Sequence, residues 1–149
     1  MIEIPFHVRY DELDARAHIP AATFLKYFQQ AAAQDSAQLG FGWEDLIQDR
    51  LAWILTHMQA RALQADIPLQ DVTVKTWHVF SDRLLSRRQF VVYGHNKTPL
   101  FEGSSWWAIM DVQKRRLART PQRLLDAHTT LPEGLEAEEN FKAPLPVPE

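Results

Sequence analysis

Two hydrophobic rhythms divide the chain. Ile2, Ile4, Phe6, Val8 and Tyr10 alternate with Glu3, Pro5, His7 and Arg9, the two-residue period of a half-buried strand. Pro5 removes a ladder donor and so predicts an edge or bulged position for that strand. From Ala21 to Leu39 the period lengthens. Phe24, Phe28, Ala31, Ala32, Asp35 and Leu39 share one face of a helix of about five turns, with Lys26, Gln30 and Gln34 turned away. Gly40 and Gly42 end it, and Trp43 to Asp49 predicts one or two further turns. Four β-rich runs follow, Leu51 to Leu63, Asp71 to Phe80, Leu84 to Tyr93 and Pro99 to Val112. Their short links predict an antiparallel meander. The order strand, helix, four strands gives an α+β domain over residues 1–128, a curved antiparallel five-stranded sheet wrapped around a long central helix. A short helix through Leu125 follows Pro121, and four prolines and five glutamates from Thr129 onward predict a weakly ordered tail over 129–149.

Composition narrows the function classes. With 149 residues, 46% of them hydrophobic, the chain supports one domain with one core. It has no cysteine, which excludes disulfides, thiolate nucleophiles and cysteine metal sites, and suits a reducing, cytoplasmic compartment. No apolar run approaches the roughly 20 residues of a membrane span, and no leader-like start is visible. A net charge of -3 argues against a nucleic-acid partner. Six scattered histidines give no metal spacing, and five glycines leave little room for a phosphate loop, so no metal and no cofactor are expected.

The segment VRYDELDARAHIPAATFLKYF, from Val8 to Phe28, carries a strand into two acids, a histidine, a proline and then a helix. It resembles the opening signature of single-domain hotdog-fold thioesterases of the 4-hydroxybenzoyl-CoA type, roughly Y-x-D-x-D-x-x-G-H-V-N-N-x-x-Y-L-x-Y-F. Tyr10, Asp14, His18, Leu25, Tyr27 and Phe28 match, and Ile19 and Phe24 are conservative replacements. Glu12 replaces the first Asp, Ala17 the Gly, and Pro20-Ala21 the Asn pair. Downstream, Trp53, Met58-Gln59, Trp77, Arg87-Arg88, Ser104-Ser105-Trp106 and Arg115-Arg116-Leu117 before Pro121 resemble the first hotdog repeat of acyl-acyl-carrier-protein thioesterases. Together the similarity spans about residues 5 to 125. The resemblance implies a hotdog fold and a hydrolase of fatty acyl groups held on acyl carrier protein or coenzyme A. Most members carry two repeats, with the catalytic residues in the second, whereas this chain has one. Either it pairs into a homodimer with a site of its own, a homotetramer being a further step open to that dimer, or the sequence is a fragment or a non-catalytic relative.

Thioester hydrolysis needs a base or nucleophile, oxyanion donors and an acyl slot. Without cysteine or a Gly-x-Ser-x-Gly elbow, a carboxylate is the natural reactive group. Asp14 lies where the resemblance implies the catalytic acid, in the turn before the helix; a solvated turn residue is its plainer role. His18 lies four residues on, placed to orient water or contact that acid. Pro20 lacks an N–H, so Ala21, Ala22 and Thr23 supply the first helix amides as oxyanion donors. Asp35, on the apolar helix face, must be paired, protonated or open to a cavity. It is the second candidate acid, or else a structural contact at a dimer interface. Gln29 matches a position often held by Glu or Gln in the family. Lys114, Arg115 and Arg116, with Arg119 and Arg123, form a basic run suited to coenzyme A phosphates or an acidic carrier, or a solvated surface. Arg87 and Arg88 must alternate in a strand, so at most one faces a ligand. A non-catalytic acyl-thioester binding module and a hotdog dehydratase or hydratase remain the alternatives.

Overall fold

The computed structural model describes residues 1–127, so the expected tail at 129–149 lies outside the described residues. Strand β1 spans Ile2–Phe6, earlier in its ending than the alternation through Tyr10 suggests. The reason is local: the Arg9 amide donates to Glu12 Oε1 at 3.1 Å while the Glu12 amide donates to the Arg9 carbonyl at 3.0 Å. That closes a 3₁₀ turn over Tyr10–Glu12 and leaves Tyr10 85% exposed. Helix α1 spans Ala21–Gln38 and stops where Gly40 takes φ +76°, a left-handed conformation that glycine adopts without steric cost. Helix α2 follows at Trp43–Gln48, where the amide of Gly42, just before the helix, donates to Asp45 Oδ2 at 2.8 Å.

Strands β2 (Leu51–Ala62), β3 (Val72–Ser81), β4 (Leu85–Tyr93) and β5 (Pro99–Asp111) then build an antiparallel sheet in the order β1-β3-β4-β5-β2. The meander holds for β3, β4 and β5. It fails for β2, which lies at the far edge against β5 and not beside β3. The connection 63–71 crosses the end of the sheet, held by Leu63 N–H to the Leu100 carbonyl at 2.9 Å and Ile19 N–H to the Ile67 carbonyl at 2.8 Å. A sixth, short strand β6 (Arg116–Ala118) returns along β5 after the Asp111 carboxylate accepts the Gln113 and Lys114 amides. Helix α3 is Gln122–Leu125.

The sheet curls around α1, whose inward residues Phe24, Phe28, Ala31 and Ala32 are buried. Phe28 stacks on Phe90 with ring centroids 4.4 Å apart, and Phe24 on Phe101 at 4.8 Å. Each such burial contributes about 1.5–3 kcal/mol. Gly103 permits the close approach: a Cβ there would meet Phe28 Cε2 at 2.6 Å and the Gln59 carbonyl at 2.8 Å. This is the hotdog architecture that the sequence motifs imply.

Candidate functional site

Two clefts open at opposite ends of α1. The first, of about 210 Å³, lies at the helix N-terminus between the turn Asp14–Pro20, the crossover connection and Phe101. Its turn is built by its own polar atoms. Asp14 N–H donates to the His18 carbonyl at 2.9 Å, and Asp14 Oδ1 accepts the Arg16 and His18 amides at 2.9 and 3.0 Å. Those two amide bonds, with a smaller contribution from nearby cations, hold the Asp14 carboxyl below its ordinary pKa despite a slight opposing effect of burial. Asp14 is therefore an exposed, anchored carboxylate. Ala17, at the position where the signature has glycine, sits at φ +58°.

His18 meets Asp14 through its backbone. Its ring turns instead to the crossover, Nδ1 lying 3.5 Å from Asp66 Oδ1, and Arg16 reaches the same carboxylate at 3.3 Å. At the helix start Ala21 and Ala22 are exposed. The Thr23 amide donates to the Pro20 carbonyl at 3.0 Å and its hydroxyl to the Glu12 carbonyl at 2.6 Å. Glu12, the longer acid in place of Asp, uses its extra methylene to receive the Tyr27 hydroxyl at 2.9 Å. Burial, and then that hydrogen bond, push the Tyr27 phenol upward.

The second cleft, of about 190 Å³, lies along the other half of α1. Gln29, Ala33, Leu39 and Trp43 are exposed at its mouth, while Ala32, Phe41, His78, Ser86, Arg88 and Leu124 are buried farther in. Trp53 and Trp107 meet edge to face at its side. Beneath it Asp35, 1% exposed, pairs with Arg88: Nη1 lies 2.6 Å from Asp35 Oδ2, and the Met1 ammonium lies 3.2 Å from Oδ1. The acid on the apolar face is thus paired within the chain. Burial pulls the Arg88 guanidinium below its usual pKa, and the Asp35 charge opposes that. Asp35 lies 14 residues beyond Ala21, about 20 Å along the axis from the start of the helix, and lies under the second cleft whereas Asp14 lines the first. Within one chain the two candidate acids belong to different clefts.

Arg87 and Arg88 do point opposite ways. Arg87 projects to the sheet's outer face over the Trp106 ring, at 5.4 Å from its centroid. Lys114 and Arg115 occupy the exposed β5–β6 turn, Arg116 starts β6, and Arg123 lies 4.8 Å over the Phe41 ring. The cations therefore gather at the end of the molecule that holds the second cleft, away from Asp14. A relay absent from the sequence reading also faces that cleft. His78 Nε2 is 2.8 Å from Ser81 Oγ, which is 2.6 Å from Ser86 Oγ. Burial first, then the neighbouring Arg88, lower the His78 pKa to about 4. Its signal in the sequence was its register: His78 continues the inward series Val72, Val74, Thr76. Among the described residues no His, Asp and Glu cluster suits a metal ion, and no helix is long and apolar enough to cross a membrane.

Solved structures share this architecture. The 12:0-ACP thioesterase of Umbellularia californica superposes with a TM-score of 0.69 at 20% identity, covering 81% of this chain and 49% of that one. An acyl-ACP thioesterase from Bacteroides thetaiotaomicron gives 0.76 at 18% identity, with 96% and 59% covered. The DHNA-CoA thioesterase of Staphylococcus aureus gives 0.71 at 20% identity, with 78% of each chain covered. The chain thus spans about half the length of the plant enzyme. Among curated proteins none matches the chain. Residues 2–128 match the model of the acyl-ACP thioesterase N-terminal domain, and the chain belongs to that family.

Proposed function

We propose that the chain is a thioester hydrolase that releases a fatty or related acyl group from acyl carrier protein or coenzyme A, with Asp14 as its reactive carboxylate. One observation carries the choice of acid. Asp14 Oδ1 is fixed by two amides of its own turn, and the residue lines a cleft that Ala21, the first residue of α1, also lines. An ionised carboxylate so placed attacks the thioester carbonyl or activates water, while the helix-start amides receive the developing oxyanion. His18 and Asp66 border the same cleft and orient the attacking water. Asp35 is held by Arg88 and is assigned a structural part. The Lys114, Arg115 and Arg116 turn receives the anionic carrier.

The cleft at Asp14 is open on one side, and β2 presents twelve residues of strand with one edge unpaired among the described residues. A second copy joined along β2 would continue the sheet and wall the cleft, giving the homodimer. The chain's match to an N-terminal domain, with Asp14 exposed, favours a second reading as a non-catalytic acyl-thioester binding module. Thiol release from a panel of acyl thioesters separates the two. Turnover that Asp14→Asn abolishes supports the hydrolase; binding without release by the native chain selects the module.

A further inference from the structure

In a fold of one antiparallel sheet around one helix, the sheet's outer face should meet water. Here its centre does not. Side chains alternate along a strand, so opposite the inward Thr76, Arg88 and Gly103 stand Trp77 on β3, Gln89 on β4 and Ser104 on β5, paired in one outward row. The next row holds Arg87, Trp106 and His57. Trp77 and Trp106 are each 1% exposed, Gln89 2% and Ser104 0%. The described helices are placed elsewhere: α1 lies within the curl, α2 packs on α1 and β2, and α3 turns Leu124 into the second cleft. Trp77 Nε1, Trp106 Nε1 and His57 Nε2 are buried with no hydrogen-bond partner among the described residues. An indole nitrogen only donates, so each tryptophan calls for an oxygen laid over it.

We propose that this outer face is the docking surface of the chain's own segment 128–149. The burial is that of a single chain, so its cover belongs to that chain, and 128–149 is the part of the sequence beyond the described residues. Composition agrees. Pro144, Pro146 and Pro148 alternate with Leu145 and Val147, a pattern that favours extended polyproline backbone. Its carbonyls make no internal bonds, and its prolines have no N–H to strand against an apolar face. Proline-rich segments dock aromatic-lined grooves on that basis. Five glutamates against one lysine give the segment a charge opposite to that of Arg87 over Trp106 and of Arg61, which pairs with Glu102 on the same face. The reach is ample: Ala127 packs at the end of the sheet near Phe41 and Ile109, and at about 3.1 Å per residue the segment spans roughly 70 Å. A second copy stacked through this face would set tryptophan donors against tryptophan donors. With the face taken, the free edge of β2 is left for pairing.

The test uses the full chain, whose lack of cysteine lets a single one be introduced. A nitroxide on Ala143→Cys should broaden the indole N–H signals of Trp77 and Trp106 in the nitrogen-15 spectrum and spare that of Trp43, 68% exposed at the mouth of the second cleft. Single tryptophan-to-phenylalanine variants assign the signals. In a mixture of isotope-labelled chain without nitroxide and unlabelled chain carrying it, the two signals should stay sharp; broadening there would make a second copy the occupant and overturn the inference. Pro144→Ser, Pro146→Ser and Pro148→Ser together should speed hydrogen exchange of both indole protons by about tenfold, with the far-ultraviolet circular dichroism unchanged. Sharp Trp77 and Trp106 signals in the nitroxide-bearing chain overturn the inference, as does indole exchange that the serine variant leaves as it was.

Discussion

The two ends of α1 hold an acid each, and they are built in opposite ways. At the N-terminal end Asp14 is exposed, and its partners are amides two and four residues away. Toward the other end Asp35 is buried, and its partner Arg88 is 53 residues away on β4. A carboxylate held by its own turn keeps an oxygen for chemistry and needs little from the core. A carboxylate held by a buried guanidinium has given up its reactivity to satisfy a charge that water no longer reaches. Position on the same helix therefore says little about role; the origin of the hydrogen-bond partners says more.

The sharpest break of this contrast is a pair of isosteric changes. Asp14→Asn should lower kcat/KM by about a thousandfold, within the span seen for lost acid–base groups, and leave the urea midpoint where it was. Asp35→Asn should do the reverse, costing about 3–5 kcal/mol in urea unfolding by stranding Arg88. Exchange of these two outcomes would exchange the roles. Arg88→Met should cost a similar amount, and Asp35→Leu with Arg88→Met should recover much of it, because the isolated charge and not the lost pair carries the penalty. No recovery would mean that the pair itself supplies the stability.

A smaller effect comes from pH. His78 has its pKa lowered to about 4 in the fold against 6.5 when free, so between those values the unfolded chain binds a proton that the folded chain refuses. Stability should be complete above about pH 6.5 and fall by up to about 3 kcal/mol as pH drops through 4. His78→Gln should flatten that slope in urea titrations, and an unaltered slope would assign it elsewhere. Asp14, already held low, should remain ionised across the same range, so an inflection of kcat/KM between pH 5 and 8 would mark an imidazole in its place. Least of all, Ala17→Gly should stabilise by about 1 kcal/mol, since Ala17 occupies left-handed backbone that glycine enters freely. A destabilised variant would show that the alanine methyl has a packing function in the turn.

Local features were legible in the sequence and long-range ones were not. The helix period from Ala21 and the stop at Gly40 come from side-chain spacing and one backbone preference, so α1 ends within a residue of its expected bound. Asp14 is a candidate in the sequence through the signature that the segment resembles, and the hydrogen bonds that hold it lie within four residues. The Arg88 partner of Asp35 was not, since only the register of β4 against α1 creates it. The placement of β2 misled for a related reason: a short connection suggests a neighbour, but 63–71 is anchored to Ile19 and Leu100 and spans the sheet instead. The His78, Ser81 and Ser86 relay depends on the irregular pairing between His78 and Phe80, a shift that no alternation of residue types announces.

The far-edge position of β2 also dictates an order of events during assembly. Its pairs with β5 join residues about 40 to 60 positions apart, whereas β3, β4 and β5 zip through tight turns. While the chain emerges from a ribosome, β2 is complete long before the strand that will receive it exists. For that interval it is an unsatisfied ladder in search of a neighbour, and another nascent copy offers one as readily as its own unfinished sheet.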